Sequence, residues 1–81
     1  MKISVNFYSY FKDLTGSEQT AEELPDGSSI SELLKKIFLR FPKLTAMEKA
    51  MLIAVGVDYQ PRDHKLKNGD EVSLFPPVQG G

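Results

Sequence analysis

The stretch SISELLKKIFLRFP, residues 29–42, decides the fold because it carries the clearest helix pattern in the chain. Ser29 and Glu32 have the spacing of a capping box, in which each side chain satisfies a backbone N–H group at the helix start. Pro42 disfavours helical geometry at Phe41, which predicts the end of the helix there. Apolar residues recur along one helical face, at Ile30, Leu33, Leu34, Ile37, Phe38 and Phe41. The stretch therefore predicts one amphipathic helix with a buried face.

The residues before this helix predict a hairpin. Ile3, Val5 and Phe7 alternate with polar neighbours, which is the pattern of a strand with one buried face. Gly16 and Ser17 offer a turn, and residues 19–24 can return as a second, more polar strand.

The residues directly after the helix predict a short helical turn and then a strand. Thr45 to Glu48 repeats the capping-box spacing and predicts the start of that turn. Leu52 to Val55 is a compact apolar run suited to the inside of a sheet. Gly56 at its end indicates a bulge or a close approach of another backbone.

The remaining residues predict an edge piece and a final strand. Residues 59–64 are polar and include Pro61, which suits an edge strand or a loop. Residues 67–70, KNGD, are a strong turn signal, and Val72 and Leu74 then alternate with their neighbours. The order of elements is typical of an α+β fold of the β-grasp, ubiquitin-like kind. We expect a mixed sheet of four to five strands, with the main helix packed across one face.

Composition limits the partners of this domain. The 81 residues carry ten basic and eleven acidic side chains, for a net charge of −1, without an electrostatic footprint for nucleic acid or a membrane surface. Lys35, Lys36 and Arg40 are interpreted as the solvated face of the helix. No apolar stretch approaches a membrane span, and we expect a cytoplasmic protein. The absence of cysteine excludes disulfides and thiolate metal sites.

Groups that could carry catalysis are few. His64 is the only histidine and lies in a polar stretch, where a structural role is expected. Glu22 and Glu23 are adjacent, so in a strand they point to opposite faces and cannot form an acid/base pair. The three methionines suit core filling rather than a ligand set. We expect no catalytic residue, no bound metal and no bound cofactor on this chain.

The last residues, FPPVQGG, have another character. Pro76 and Pro77 favour an extended path, so residues 76–81 are predicted to project as a tail from a domain of residues 1–75. Gly80 and Gly81 carry no side chains, so this end can enter a narrow tunnel and bring its α-carboxylate into another protein's active site. A loose terminus without function is the alternative.

Two aromatic residues are predicted to face water near this tail. The alternation that buries Val5 and Phe7 places Tyr8 outward, and the alternation that buries Val72 and Leu74 places Phe75 outward. Large exposed aromatic side chains indicate a docking surface.

Residues 52–81, LIAVGVDYQPRDHKLKNGDEVSLFPPVQGG, closely resemble the C-terminal part of the MoaD-like small subunits of molybdopterin synthase, in the MoaD/ThiS ubiquitin-like family. The resemblance is most specific at GDEV, residues 69–72, and at FPPVQGG, residues 75–81. The segment from Phe7 to Gly16 also looks like the family's first strand and turn. The resemblance therefore spans nearly the whole chain.

The resemblance implies a sulfur carrier in molybdenum cofactor biosynthesis. An E1-like adenylating enzyme would use ATP to activate the Gly81 carboxylate, which sulfur then converts to a thiocarboxylate. The tail, consisting of Pro76, Pro77, Val78, Gln79 and Gly80 before Gly81, would thread into the large synthase subunit. That subunit would hold the catalytic residues and convert cyclic pyranopterin monophosphate to molybdopterin, in a heterotetramer of two small and two large subunits. The resemblance places its docking surface at Tyr8, Lys12, Tyr59 and Phe75.

Two alternatives stay open. The chain could carry sulfur for another pathway, that of thiamine or of a tungsten-pterin cofactor, although thiamine-type carriers usually lack Pro-Pro before Gly-Gly. It could also be a ubiquitin-like modifier, or a plain interaction module.

Overall fold

The computed structural model describes residues 1–77, which form five strands and three short helical segments. The strands are β1 (Lys2–Phe7), β2 (Gln19–Glu23), β3 (Leu52–Val55), β4 (Asp58–Tyr59) and β5 (Glu71–Phe75). The helices are α1 (Phe11–Thr15), α2 (Ile30–Arg40) and a 3-10 helix (Pro42–Met47). Within residues 1–77, no helix is both long enough and apolar enough to pass through a lipid bilayer.

The strands form one mixed sheet in the order β2-β1-β5-β3-β4. The central strands β1 and β5 are parallel, and all other neighbours are antiparallel. Parallel strands end at the same edge of a sheet, so the chain leaves β1 and β5 side by side. This architecture confirms the predicted β-grasp fold.

The core lies between α2 and one face of the sheet. The predicted alternation is confirmed, because the fully buried strand residues are Ile3, Val5, Phe7, Val72 and Leu74. The helix contributes Ile30, Leu33, Leu34 and Ile37, whereas Phe38 and Phe41 are only partly buried against this cluster. We call the opposite, helix-free face of the sheet the outer face.

The start of α2 is fixed by its capping box. The Ser29 hydroxyl accepts a hydrogen bond from the Glu32 N–H group, and the Glu32 carboxylate accepts one from the Ser29 N–H group, both at 3.4 Å. The predicted cap is therefore confirmed.

Replacement of Ser29 by alanine is expected to lower the free energy of unfolding by about 1 kcal/mol, because an N–H group loses its partner. Urea denaturation measures this value. Ser31 is exposed in the first turn of the same helix, so Ser31→Ala is the matched control and should have little effect. Equal destabilisation by the two variants would contradict a specific role of the cap.

The connection between β1 and β2 differs from the predicted simple turn. It contains α1, which ends at Gly16 in the left-handed region with φ of 72°. Phe11 begins this helix and is fully buried. A helix of five residues is too short to show a periodic pattern in the sequence, and the burial of Phe11 by distant elements stabilises it.

Two predictions for the segment after α2 are wrong. The helical turn begins at Pro42 rather than at Thr45, because proline suits the first helical position and Leu44 is anchored in the core. Gly56 marks no close approach, since a Cβ atom there would have no neighbour within 4 Å. Its φ of 62° instead forms the turn between β3 and β4.

Lys35, Lys36 and Arg40 are exposed, as the sequence predicts, but two of them also contact β2. Nζ of Lys36 donates a hydrogen bond to the carbonyl of Glu23 at 2.7 Å.

Arg40 makes the second contact with β2, an ion pair. Its Nε atom lies 3.2 Å from Oε2 of Glu22, a residue that is only 6% exposed on β2. This contact lacks the geometry of a hydrogen bond. The hydrogen bond of the pair runs from Nη2 of Arg40 to Oε1 of Glu22, at 3.4 Å. Nη1 also donates to the hydroxyl of Thr20 at 2.9 Å. The last turn of α2 is therefore joined to β2 by an ion pair.

Candidate docking surface

Three aromatic residues meet on the outer face, near the edge where β1 and β5 end. Tyr8 directly follows β1, Phe75 is the last residue of β5, and Tyr59 lies on β4. The Tyr8 N–H group donates to the carbonyl of Leu74 at 3.2 Å, so the pairing of the two central strands extends to this point. We call Tyr8, Tyr59 and Phe75 the aromatic cluster.

The rings of the aromatic cluster are in contact with one another. Tyr8 and Phe75 are stacked, with ring centroids 4.6 Å apart and an angle of 14° between the planes. Tyr59 meets Phe75 edge-on at 6.3 Å and 69°. Such contacts contribute about 0.5–1.5 kcal/mol per pair beyond the burial of area. Phe75 is therefore held by a ring on each of two sides.

The aromatic cluster stays accessible although its rings touch. Tyr8 is 40% exposed and Tyr59 is 69% exposed, whereas Phe75, also predicted to face water, is half-buried between them. Ser73 and Ala54 are paired on the same face between β5 and β3, and both are small and buried. The outer face is consequently flat at these two small residues and carries the rings of the aromatic cluster beside them. Such a surface is typical of a binding site for another protein.

Lys12, the fourth residue that the resemblance places on the docking surface, lies outside the aromatic cluster. It is on α1, and its Nζ atom is 4.0 Å from the carboxylate of Glu18. Both residues line an open depression of about 410 Å³, together with Asn6, Phe7, Tyr8, Gln19 and Glu71. Tyr8 borders both this depression and the aromatic cluster, so all four predicted interface residues belong to one continuous region. Their role in binding stays a prediction.

Ser9 gives the chain its direction between Tyr8 and α1. Its φ of 55° makes it the only non-glycine residue with positive φ in residues 1–77. Its carbonyl accepts a hydrogen bond from the N–H group of Lys12 at 3.1 Å. Left-handed backbone is unfavourable for residues with a side chain, and such residues occur often at functional sites. The positive φ of Ser9 thus belongs to the bend by which the chain passes from β1 into α1.

Replacement of Ser9 by valine is expected to lower the free energy of unfolding by about 1–2 kcal/mol, because a β-branched residue tolerates positive φ poorly. Ser9→Gly is the matched control, and it should be as stable as the original protein or slightly more stable. Denaturant unfolding of both variants provides the comparison. If valine and glycine gave equal stability, the backbone at residue 9 would carry no strain.

Sequence reasoning missed one part of this region, a row of hydrogen-bonded polar side chains. Gln19 donates to Asn6 at 2.9 Å, and Asn6 donates to Glu71 at 2.7 Å. Alternation alone places Asn6 and Glu71 on outward faces of their strands. It does not reveal that β1 and β5 are neighbours, because the two residues are 65 positions apart.

The other groups weighed for chemistry have structural positions. His64 lies in a turn, where its N–H group donates to the Pro61 carbonyl and its own carbonyl accepts from the N–H group of Ile30. Met51 is buried in the core, and Met1 and Met47 are partly buried against that core. Across residues 1–77, no three acidic, histidine or cysteine side chains lie close enough together to hold a metal ion.

The predicted tail begins directly at the aromatic cluster. Pro76 and Pro77 follow Phe75 and are half-buried. The predicted threading residues Val78, Gln79 and Gly80 and the predicted attachment residue Gly81 lie outside the described residues.

A mixed five-stranded sheet crossed by one main helix, with an aromatic cluster where its last strand ends, defines a ubiquitin-like β-grasp protein. The profile of the ThiS family matches residues 5–81. The chain is 34% identical over 83 residues to the molybdopterin synthase sulfur carrier subunit of Chlamydomonas reinhardtii, with 100% of both chains covered. It belongs to the ThiS family, among the relatives of the molybdopterin synthase sulfur carrier subunits.

Solved structures agree with this assignment. A putative molybdopterin converting factor, subunit 1, from Pyrococcus furiosus has a TM-score of 0.87 at 34% identity, covering 96% of this chain and 99% of that one. A chain in the protein-protein complex of subunits 1 and 2 of molybdopterin-converting factor from Helicobacter pylori has a TM-score of 0.69 at 26% identity, with both chains fully covered at 100%.

Proposed function

We propose that this protein is the sulfur carrier subunit of a molybdopterin synthase. The observation that carries the proposal is the aromatic cluster, which stacks Phe75 on Tyr8 at the point where the chain enters Pro76 and Pro77. Full-length similarity to sulfur carrier subunits supports the same function. A carrier of this kind needs a surface that holds the partner next to the start of its tail.

The working group in this proposal is the α-carboxylate of Gly81. A carboxylate oxygen attacks the α-phosphorus of ATP in the active site of an E1-like enzyme, and pyrophosphate leaves. Hydrosulfide released by the sulfur source then attacks the activated carbonyl carbon and forms the C–S bond, while the acyl C–O bond breaks and AMP leaves with that oxygen. The product is a thiocarboxylate at Gly81, in which sulfur replaces one oxygen. ATP is used by the partner enzyme, and the carrier needs no cofactor of its own.

The thiocarboxylate then acts in the large synthase subunit. Residues 76–80 extend into the active site of that subunit, where sulfur passes to cyclic pyranopterin monophosphate and molybdopterin forms. Glycine at the tip avoids side-chain clashes in a narrow passage. The carrier contributes binding and positioning, while its partner contributes the catalytic groups. We propose the assembly to be a heterotetramer of two small and two large subunits.

A reconstituted reaction tests this function. The protein is incubated with an E1-like adenylating enzyme, ATP and a sulfur source, and its terminus is examined by mass spectrometry. The expected result is replacement of one oxygen by sulfur at Gly81, followed by molybdopterin formation when the large subunit and cyclic pyranopterin monophosphate are added. An unmodified terminus, or a loaded protein that yields no molybdopterin, would contradict the proposal. Lysine-linked conjugates in cell extract would instead identify a modifier.

A further inference from the structure

The polar row beside the aromatic cluster holds one carboxylate in a defined orientation. The row crosses β2, β1 and β5, from the Nε2 atom of Gln19 to Oδ1 of Asn6 at 2.9 Å, and from Nδ2 of Asn6 to Oε1 of Glu71 at 2.7 Å. Each amide donates in the same direction along the row, so the acceptor at its end is Glu71. Oε2 of that residue accepts no hydrogen bond from residues 1–77.

The hydrogen bond from Asn6 restricts the side chain of Glu71. Immobilising a flexible side chain on binding normally opposes association. At Glu71 the carboxylate already accepts a hydrogen bond from the Asn6 amide, which Gln19 holds in turn, although the residue is exposed to solvent. A hydrogen bond to an ionised acceptor is also about twice as strong as a neutral one. The carboxylate is therefore prepared to receive a donor from another molecule.

The charges around the depression indicate which donor fits. Its lining contains two carboxylates, those of Glu18 and Glu71, and one ammonium, that of Lys12. Lys12 lies 4.0 Å from Glu18, so these two charges largely offset each other. The negative charge of Glu71 is left to attract a positively charged group.

We infer that Glu71 is a recognition residue that accepts a hydrogen bond from an arginine or lysine of the protein that docks on the aromatic cluster. Asn6 is a positioning residue in this interaction, because it acts through Glu71. The inference rests on the proposed function, since it adds a partner contact to the same docking surface. It adds electrostatic attraction by Glu71 to the contacts of the three aromatic residues and Lys12.

Binding to the large synthase subunit encoded in the same genome tests this inference. Isothermal titration calorimetry is performed with the full chain, with Glu71→Gln, and with the control Glu32→Gln. Glu32→Gln removes the same charge as Glu71→Gln, but on α2 and away from the outer face. Glutamine at this position still fits the capping box. We expect Glu71→Gln to weaken binding about tenfold and to flatten the salt dependence of the dissociation constant, whereas Glu32→Gln changes neither.

The positioning role of Asn6 has a separate readout. Asn6→Ala should weaken binding about threefold in the original protein and have almost no effect when Glu71 is already glutamine, as expected for coupled residues. Additive losses would overturn the positioning role. If Glu71→Gln bound as tightly as the original protein and with the same salt dependence, the recognition role would be overturned and the proposed function would stay intact. Absence of binding by the unaltered protein would overturn both.

Discussion

Deletion of Gly81 is expected to abolish thiocarboxylate formation and sulfur transfer. In the proposed mechanism the terminal carboxylate must reach the α-phosphorus of ATP, so a tail shorter by one residue presents its reactive atoms too far from that position. Misplacement by about 1 Å already costs on the order of 100-fold in rate. One residue of extended chain spans about 3.3 Å, which is a larger displacement.

The stability of the truncated protein separates this effect from misfolding. All residues of the described core precede Phe75, so the deletion should leave the free energy of unfolding unchanged. Urea denaturation provides this control, while mass spectrometry and molybdopterin formation measure the activity. A truncated protein that still accepts and donates sulfur would show that Gly81 is not the attachment residue.

Replacement of Phe75 by alanine is expected to weaken binding to the large subunit by about 30-fold or more. Aromatic residues at the centre of an interface commonly contribute 2 kcal/mol or more, and about 1.4 kcal/mol corresponds to tenfold in affinity. Phe75 contacts both Tyr8 and Tyr59, so its removal also leaves these two rings without their shared neighbour. The affinity is measured by isothermal titration calorimetry.

Leu39 offers a matched control for this substitution. It is a large apolar residue that is 85% exposed on α2, which covers the opposite face of the sheet. Leu39→Ala should bind like the original protein, because it removes apolar surface away from the aromatic cluster. Circular dichroism verifies that both variants are folded. If the two variants bound with equal affinity, the docking surface would not lie at the aromatic cluster on the outer face.

Most of the fold could be predicted because its signals are local. The capping box of Ser29 and Glu32 involves residues three positions apart, and the strand alternation at Ile3, Val5 and Phe7 involves positions two apart. The parts that were missed depend on distant residues. The short helix α1 forms around the burial of Phe11, and Arg40 turns toward Glu22, which lies 18 positions earlier in the chain.

For the candidate site, the residues could be predicted from the sequence, but the contacts between them could not. Alternation placed Tyr8 and Phe75 outward, and the family resemblance added Lys12 and Tyr59. Neither the alternation nor the resemblance indicates that Phe75 lies between two rings, or that Gln19 and Asn6 orient Glu71. The contacts of Phe75 with Tyr8 and of Asn6 with Glu71 need the parallel pairing of β1 with β5, which no local pattern encodes.

The sequence by itself determined the main helix, the long strands and the buried face of each, and the motif FPPVQGG on which the proposed chemistry depends. Only the tertiary structure decided which outward side chains meet. The physical reason is the range of the interactions. Helix periodicity, strand alternation and capping act between residues a few positions apart, whereas the docking surface is assembled by hydrogen bonds between strands at opposite ends of the chain.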